Sequence, residues 1–228
     1  MGSTGEGYPS DTQVSNRAWR WTVVVLAATI GALILTPVVI ATQPDVHRSV
    51  PLWPNAFDQS PDEWTIDPDG GSVANGILRL HPPTPDSTAL AIHPLPVRDF
   101  IAETKARVIE GSADNGYGIV VGDHSDLTAF LIGGDGYTSV RRWAGHEWIE
   151  LQPWRQWPHV RRGNASNRLR VECRGSACAL YINDELTASA EIGRGRTNIG
   201  LLAWRYTMEA LTVESESLQV WAISGSGE

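Results

Sequence analysis

The chain has 228 residues, with 18 basic and 26 acidic side chains and a net charge of −8. This acidic balance argues against a nucleic-acid partner held through its phosphates. A content of 42% hydrophobic and 19% charged residues is that of a globular protein and excludes a disordered or collagen-like chain. Two cysteines and six histidines argue against a four-ligand structural zinc site.

The N-terminal part of the chain predicts a short tail followed by a membrane anchor. Residues 1–20 begin with a Gly-, Ser- and Thr-rich stretch without periodicity, which is typical of a disordered tail. No ionisable side chain lies between Arg20 and Asp45. As a helix, Trp21–Ala41 would rise about 32 Å, close to the thickness of the hydrocarbon core of a bilayer. We therefore predict a transmembrane helix over residues 21–42 that acts as a signal anchor.

The charges around this segment indicate its orientation. Arg17 and Arg20 flank its amino side, whereas the first basic residue after it is Arg48. This bias favours a single-pass protein of the cell membrane with a cytoplasmic N-terminus and an extracytoplasmic C-terminal domain. A cleaved secretory signal, with Val39 and Ala41 before the cut, is the alternative. Both interpretations export the rest of the chain.

A Pro-rich stretch over residues 43–55 predicts a stiff tether. From residue 56 to residue 222 the apolar residues alternate with a period of two, most clearly in Asp99–Glu110. Further short runs of this kind begin at residues 117, 128, 137, 147, 168, 178 and 199, and turn-forming clusters separate them. This pattern predicts one all-β antiparallel sandwich of the jelly-roll kind. Residues 223–228 are expected to be a flexible tail.

The two cysteines bracket one predicted hairpin turn. If residues 168–173 and 178–183 are paired strands, Cys173 and Cys178 face each other in a non-hydrogen-bonded pair, close enough for a disulfide. Such a bond requires an oxidising compartment, in agreement with export. Two reduced, half-buried thiols are the alternative.

Three segments resemble a known group of domains: YGIVVGDHSDLTAFLIGGDGYTSVRRWAGHEWIELQPW, NRLRVECRGSACALYINDE and NIGLLAW. The group consists of bacterial concanavalin A-like (laminin-G-like) jelly rolls, similar to the 3-keto-disaccharide hydrolase domain and more distantly to family-16 glycoside hydrolases. Its members often stand behind a single membrane span. The resemblance implies a concanavalin A-like lectin/glucanase sandwich over residues 56–222. It leaves the function open, because lectins, hydrolases, adhesion modules and spacers share this fold.

A family-16-type retaining glycosidase needs two carboxylates about 5 Å apart. Glu147 and Glu150 differ by three positions and would point to opposite faces of a strand. Glu214 and Glu216 would share a face, but in a Ser-rich terminal strand they suggest a solvated edge. The sequence therefore favours a non-catalytic module over an enzyme, and carboxylates distant in sequence are the remaining route to hydrolysis.

Acidic turn residues are the candidates for a metal site. Asp123 and Asp126 lie in one tight turn and Asp135 lies in the sequence GGDG. Sandwich lectins often hold Ca²⁺ with loop oxygens of this kind. We favour Asx turns instead, because few of the six or more oxygens that Ca²⁺ needs are visible here. No cofactor is expected, with Ca²⁺ as the alternative.

Residues 141–162 combine four tryptophans with five arginines. An exposed indole can stack on the C–H face of a sugar, and guanidinium groups can hold hydroxyls or carboxylates. The resembling group carries Trp at the positions of Trp148 and Trp154, which implies that these two belong to the core. The predicted ligand-binding residues are therefore Trp143, Trp157, Arg142, Arg155 and His159. Core packing with Arg–Trp stacking at the surface is the alternative.

Taken together, these features predict a membrane-anchored, extracytoplasmic module that binds a glycan or another envelope component without catalysis. One alternative is an accessory or docking subunit of a membrane protein complex. The other is a sugar hydrolase resembling the 3-keto-disaccharide hydrolases.

Overall fold

The computed structural model describes residues 51–53, 55–59, 63–193 and 198–223. The predicted transmembrane segment Trp21–Ala41, the N-terminal tail and most of the tether lie outside these ranges. Among the residues described, no helix has both the length and the apolarity needed to cross a bilayer.

Fifteen strands and one short helix are formed by the described residues. In chain order they are β1 (Pro51–Trp53), α1 (Ala56–Gln59), β2 (Thr65–Ile66), β3 (Gly71–Ala74), β4 (Ile77–Leu80), β5 (Ser87–Pro94), β6 (Phe100–Glu110), β7 (Gly116–Asp123), β8 (Asp126–Gly133), β9 (Tyr137–Trp143), β10 (Trp148–Gln156), β11 (Asn167–Arg174), β12 (Ala177–Ile182), β13 (Glu185–Glu191), β14 (Asn198–Arg205) and β15 (Thr212–Ala222).

The described strands form two antiparallel sheets. The first sheet has the order β13-β12-β11-β6-β15-β4-β3, and β1 also pairs with β15. The second sheet has the order β10-β9-β8-β7-β14-β5-β2. Two antiparallel sheets with hardly any helix confirm the predicted β-sandwich of the jelly-roll kind.

The main core lies between the sheets and follows the alternation of the strands. On β6, Phe100, Ala102, Ala106 and Val108 are at most 1% exposed, whereas Lys105 on the intervening register is exposed. These inward side chains pack against those of the second sheet in a single cluster. At about 25 cal/mol per Å² of apolar area, this burial is the main contribution to the stability of the sandwich.

Two glycines in the middle of the second sheet have no room for a side chain. A Cβ added to Gly118 of β7 would collide with the carbonyl oxygen of Phe130, and one added to Gly200 of β14 would collide with that of Ala91. Glycine therefore lets the neighbouring strands come close at these two positions.

The predicted disulfide is confirmed. Cys173 and Cys178 are directly opposed in the β11–β12 hairpin, their Cα atoms are 4.1 Å apart, and their sulfurs are bonded. Both side chains belong to the main core, where Cys173 is 0% and Cys178 is 2% exposed. The bond therefore fixes the register of this hairpin from inside the core.

The domain starts earlier than the sequence suggested. Residues 51–53, placed in the tether, form β1 and pair with β15, so that Pro51 lies opposite Trp221 and Trp53 opposite Val220. The sequence pattern is too short here to reveal a strand of three residues. The strand β15 also differs from expectation, because it lies inside the first sheet between β6 and β4 rather than at an edge.

Candidate functional site

Five aromatic side chains form a continuous surface on the second sheet. Trp143 and Trp148 stand opposite each other in the β9–β10 hairpin, with ring centroids 5.5 Å apart. Trp148 lies 5.4 Å from Trp204 of β14, and Trp204 stacks on Tyr206 at 5.1 Å. Tyr206 in turn meets the edge of Trp154 at 6.2 Å. We call these five side chains the aromatic face.

The aromatic face covers the side of the second sheet that points away from the first sheet. On β7, Ile119 and Val121 belong to the main core, whereas Val120 between them belongs to a second, smaller cluster. Successive side chains of a strand alternate between its two faces, so this second cluster lies on the outer face. Its buried members are Ile92, Val120, Ala129, Leu131, Leu202 and Trp204.

The aromatic rings are only partly covered. Trp143, Trp148, Trp154 and Tyr206 are half-buried, and Trp204 is 9% exposed beneath them. An indole or phenol in this position keeps one apolar surface in contact with the sheet and another in contact with solvent. The arrangement can therefore stack against a flat apolar surface of a ligand, such as the C–H face of a sugar ring.

A glycine makes room for part of this surface. A Cβ added to Gly116 of β7 would lie 3.3 Å from ring atoms of Trp154 and 3.5 Å from the ring of Tyr206. These distances leave little space for a methyl group unless the rings shift. Gly116 therefore allows Trp154 and Tyr206 to lie close to the sheet.

One ion pair supplies polar groups beside the rings. The guanidinium carbon of Arg141 lies 5.0 Å from the centroid of the Trp204 ring. The Nη2 of Arg141 donates to Glu150 Oε2 at 3.0 Å, across the β9–β10 pair. The Arg141 side chain is 18% exposed and that of Glu150 is 45% exposed. A ligand on the aromatic face would thus meet both a donor and an acceptor of hydrogen bonds.

Tyr206 is a neutral phenol at physiological pH. Desolvation by burial raises the pKa of Tyr206 to about 12. Arg141, and to a lesser extent Trp154, act in the opposite direction on this pKa. The buried hydroxyl of Tyr206 has no hydrogen-bond partner among the described residues.

The predicted ligand residues Arg155, Trp157 and His159 lie at the opposite end of the hairpin from Trp143. The guanidinium of Arg155 stacks 5.1 Å from the Trp157 ring, and His159 contacts Trp157 at 5.6 Å. Arg155 also donates to the backbone oxygen of Thr187 on the first sheet. The hydrogen bond of Arg155 joins β10 to β13 and so connects the two sheets along one side of the sandwich.

The structure reverses the expected positions of three tryptophans. Trp148 and Trp154, expected in the core, belong to the aromatic face on the outside of the second sheet. Trp157, expected at the surface, packs against the main core, and its indole nitrogen is buried. Trp154 lies within β10 on its outer side, whereas Trp157 follows the end of the strand at Gln156 and packs towards the main core.

Arg142 binds Asp126 and does not belong to the aromatic face. Its Nε and Nη2 donate to the two carboxylate oxygens of Asp126, each at 2.6 Å. These hydrogen bonds to the Asp126 carboxylate raise the pKa of Arg142 above its ordinary value. Arg142 and Trp143 are neighbours in sequence and therefore point to opposite faces of β9. The predicted pairing of Arg142 with Trp143 as ligand-binding neighbours is thus not formed.

The other acidic turn residues form the Asx turns that we favoured. Asp123 Oδ1 accepts from the backbone nitrogen and the hydroxyl of Ser125, both at 3.1 Å. Asp135 Oδ1 accepts from the backbone nitrogen of Tyr137 at 3.2 Å. Within the described ranges, no group of three or more His, Cys, Asp and Glu side chains is placed to hold a metal ion.

Two of the four glutamates considered as catalytic carboxylates, Glu150 and Glu214, have arginine partners. Glu150 pairs with Arg141, as described above. Glu214, expected at a solvated edge, is instead 6% exposed on the outer face of the first sheet. Its carboxylate accepts from Arg79 at 2.7 Å and from Arg107 at 2.8 Å. Hydrogen bonds from Arg107 and then Arg79 lower the pKa of Glu214, which keeps it ionised.

Of the members of the site, the sequence predicted only Trp143. It placed Trp148 and Trp154 in the core and did not single out Trp204, Tyr206, Arg141 or Glu150 as ligand residues. Trp204 and Tyr206 follow a predicted strand, but nothing in the alternation shows which of the two sheet faces meets the core. The spacing of the tryptophans in β10 could have indicated the site, since Trp148 and Trp154 are an even number of residues apart and so share one face of the strand. Two aromatic residues on one face of an edge strand are compatible with an exposed surface.

The fold is shared with proteins of known structure. No family model matches the chain, and no curated protein matches it. The carbohydrate-binding module CBM66 from Bacillus subtilis superimposes with a TM-score of 0.57 and 13% identity, covering 70% of this chain and 96% of that module. The β-glucanase of Bacillus licheniformis gives a TM-score of 0.56 and 9% identity, covering 74% of this chain and 96% of the enzyme.

A third similar structure contains bound sugars. A LamA variant from Zobellia galactanivorans, in complex with laminaritriose and laminaritetraose, gives a TM-score of 0.54 and 10% identity. The match covers 76% of this chain and 99% of the LamA chain. Similarity at these identities establishes the fold alone, which is the jelly-roll β-sandwich expected from the sequence. The likeness to the 3-keto-disaccharide hydrolase group stays a prediction.

Proposed function

We propose that the domain is a non-catalytic module that binds a glycan on the aromatic face. The observation that carries this proposal is the continuous row of Trp143, Trp148, Trp204, Tyr206 and Trp154 on the outer face of the second sheet. Trp143, Trp148, Trp154 and Tyr206 are partly exposed, and the buried Trp204 joins them. Partly exposed rings in a row suit a chain of sugar units, because such rings can stack on successive units. Arg141 and Glu150 add hydrogen-bonding groups beside the rings.

The similar structures support carbohydrate as the ligand class. One is described as a carbohydrate-binding module, one as a β-glucanase and one as a complex with laminari-oligosaccharides. The ligand need not be shared, since one fold serves many functions. We therefore propose a neutral glycan as the ligand class and take laminaritetraose as the first probe.

We further propose that Trp21–Ala41 anchors this module in the cell membrane and that the module lies outside the cytoplasm. The length of the apolar segment and the charges flanking it support the anchor. The buried disulfide supports an oxidising compartment. A module held near the membrane in this way would bind glycans of the cell envelope.

The decisive experiment compares two aromatic substitutions on opposite sheets. Trp148→Ala removes a central ring of the aromatic face. Tyr181→Ala is the matched control, because Tyr181 lies on the first sheet and also carries a stacked guanidinium, that of Arg170 at 4.4 Å. The purified full-length chain is screened on a glycan array, with calcium and with a chelator, and its affinity for laminaritetraose is measured by calorimetry.

The proposal expects Trp148→Ala to lower the affinity about tenfold or more, since one lost stacking ring is worth about 1 to 2 kcal/mol. Tyr181→Ala should leave binding unchanged.

If no glycan binds and the chain instead co-purifies with a membrane complex, the docking alternative replaces the proposal. Release of reducing sugar from a bound glycan would contradict the non-catalytic role. Loss of binding in the chelator alone would show a calcium requirement.

A further inference from the structure

A second cleft lies at one end of the second sheet, separate from the aromatic face. It has a volume of about 920 Å³, within the range of about 300 to 1,000 Å³ that is usual for sites that enclose small ligands. It forms where β5 and β7 end and β14 begins, since Asn198 pairs with both Pro94 and Gly122. None of its lining residues belongs to the aromatic face.

One wall of the cleft is apolar. It is formed by Trp53 of β1 and by residues 94–97, which follow β5. Trp53 is half-buried and packs against the main core. Its ring centroid lies 4.5 Å from that of His93 in an edge-on contact. This wall therefore offers a partly exposed indole on a fixed support.

A buried histidine positions a carboxylate at the cleft. His93 is 5% exposed and lies between Trp53 and Trp64, whose centroid is 5.4 Å away. Its Nδ1 lies 2.8 Å from the backbone oxygen of Pro94, and its Nε2 lies 3.0 Å from Glu63 Oε2. The Glu63 side chain itself is 63% exposed. His93 thus holds one oxygen of a carboxylate that is otherwise open to solvent.

The remaining polar groups carry both signs of charge. Arg98 and Asp123 line the cleft together with Glu63 and the amide of Asn198. The Nδ2 of Asn198 donates to the backbone oxygen of Gly122 at 2.9 Å, which fixes the orientation of this amide. A site with interspersed donors, acceptors and opposite charges does not select an anion or a cation. It suits a neutral ligand with many hydroxyl groups and one apolar surface.

We propose that this cleft is a second carbohydrate site, which takes one or two units of a neutral oligosaccharide. Trp53 stacks on the sugar ring, and the carboxylate of Glu63, positioned by His93, accepts hydrogen bonds from sugar hydroxyls. The site is small and local, whereas the aromatic face is extended. A single module with two such sites would bind a long glycan at two places.

The experiment measures laminaritriose binding to the wild type and four variants of the full-length chain, the fourth being Trp53→Phe. The wild type is compared with Trp148→Ala, which affects the aromatic face, and with Glu63→Gln, which affects the cleft and keeps the shape of the side chain. Glu185→Gln is the matched control, because Glu185 is exposed on β13 and does not line the cleft. Stoichiometry is read by native mass spectrometry and affinity by calorimetry.

We expect two bound sugars on the wild type and one on Trp148→Ala. Glu63→Gln should lower the affinity of the cleft about tenfold, as for the loss of one hydrogen bond to a charged group, and Glu185→Gln should change nothing. To guard against a folding defect in Glu63→Gln, its circular dichroism must match that of the wild type, and Trp53→Phe must give the same loss of cleft binding.

The two proposals fail in different ways. If Trp148→Ala abolishes all binding while Glu63→Gln binds as well as the wild type, only the aromatic face is a site and the cleft proposal is overturned. If Glu63→Gln and Trp53→Phe abolish all binding while Trp148→Ala does not, the cleft is the site and the aromatic face is not. Absence of binding by the wild type overturns the cleft proposal as it is stated for neutral laminari-oligosaccharides.

Discussion

Glu214 shows how a buried carboxylate is accommodated on the first sheet. It lies on β15, opposite Arg107 of β6 and Arg79 of β4. Arg79 donates through both Nε and Nη2 to one oxygen, and Arg107 donates to the other. The two arginine side chains are 45% and 44% exposed. The group therefore links three neighbouring strands at moderate cost in desolvation.

The substitution Glu214→Gln should destabilise the domain at neutral pH by about 1 to 2 kcal/mol, because two charge-assisted contacts become weaker. Glu216→Gln, on the same strand but exposed, is the control and should have little effect. Urea unfolding monitored by tryptophan fluorescence measures both. Equal stability of the two variants would mean that the contacts of Glu214 with the two arginines do not stabilise the domain.

The pH dependence of this pair has a definite sign. Hydrogen bonds from Arg107 and Arg79 lower the pKa of Glu214 below its ordinary value of 4.5. The stabilisation is thus fully present above the ordinary value and is lost as the pH falls through the lowered one. The difference in unfolding free energy between the wild type and Glu214→Gln should shrink in acid. A difference that stays constant down to acid pH would contradict this assignment.

Two tyrosines should ionise late. Burial raises the pKa of Tyr117 and of Tyr206 to about 12. Because the folded state holds these protons more tightly, the stability of the domain should fall as the pH rises from about 10 towards 12. Absorbance at alkaline pH should show one fewer late-ionising phenol in Tyr206→Phe. Titration of Tyr206 near the ordinary tyrosine value would mean that its hydroxyl is not buried.

At the scale of elements, the β9–β10 hairpin has two separate roles. One end carries Trp143 and Trp148 of the aromatic face, and the other end connects the sheets. Gln152 donates to the backbone oxygen of Ser189 at 3.0 Å, and Arg155 donates to that of Thr187. Both acceptors belong to β13, the outer strand of the first sheet. The hairpin therefore closes this side of the sandwich.

Trp157→Ala should act on stability rather than on binding. Trp157 packs against the main core but is only half-buried, so we expect a loss of about 2 kcal/mol, less than the 3 to 5 kcal/mol of a fully buried ring. Its affinity for glycans should equal that of the wild type. Thermal unfolding measures the stability of the variant, and calorimetry measures its affinity for glycans. A normal melting temperature with lost binding would restore Trp157 as a ligand residue.

The β11–β12 hairpin should resist reduction while the domain is folded. Both cysteines are buried in the main core, so a thiol reagent reaches them only after local or global opening. Loss of the bond should cost on the order of 2 kcal/mol, because it closes a short loop. Alkylation after timed reduction, with and without urea, measures the rate. Rapid reduction without denaturant would show that this hairpin opens easily.

The elements also show what alternation and turn residues can reveal. The inward face of β6 and the cysteine pair were predictable, because a period of two and a short turn determine both. The short strands β1 and β2 were not, since two or three residues carry no period. The position of β15 inside the first sheet was not predictable either, because strand order depends on contacts between distant segments.

At the scale of the molecule, the sequence predicted two antiparallel sheets of the concanavalin A-like kind but only part of the site. The Trp-rich hairpin that the sequence singled out contributes Trp143, Trp148 and Trp154 to the aromatic face. Which of its tryptophans face outward depends on the side from which the first sheet covers the second. That choice is made by the packing of whole sheets, so Trp204 and Tyr206 joined the site only in the structure.

The proposed export of the domain has a direct chemical test. An exported chain should carry the disulfide quantitatively, whereas a chain on the cytoplasmic side should keep two free thiols. Cells are lysed in a thiol-blocking reagent, and the mass of the full-length chain is measured before and after reduction. Two blocked thiols in the unreduced chain would contradict the predicted topology together with the anchor.

The first and last strands of the described domain lie side by side, because Pro51 and Trp53 of β1 pair with the end of β15. Entry and exit of the chain are therefore neighbours on the first sheet, and the aromatic face belongs to the second. A domain with this geometry can be spliced as a guest into a surface loop of another protein with only a narrow gap to bridge. Grafted in this way, it would add the proposed glycan-binding surface to a host enzyme.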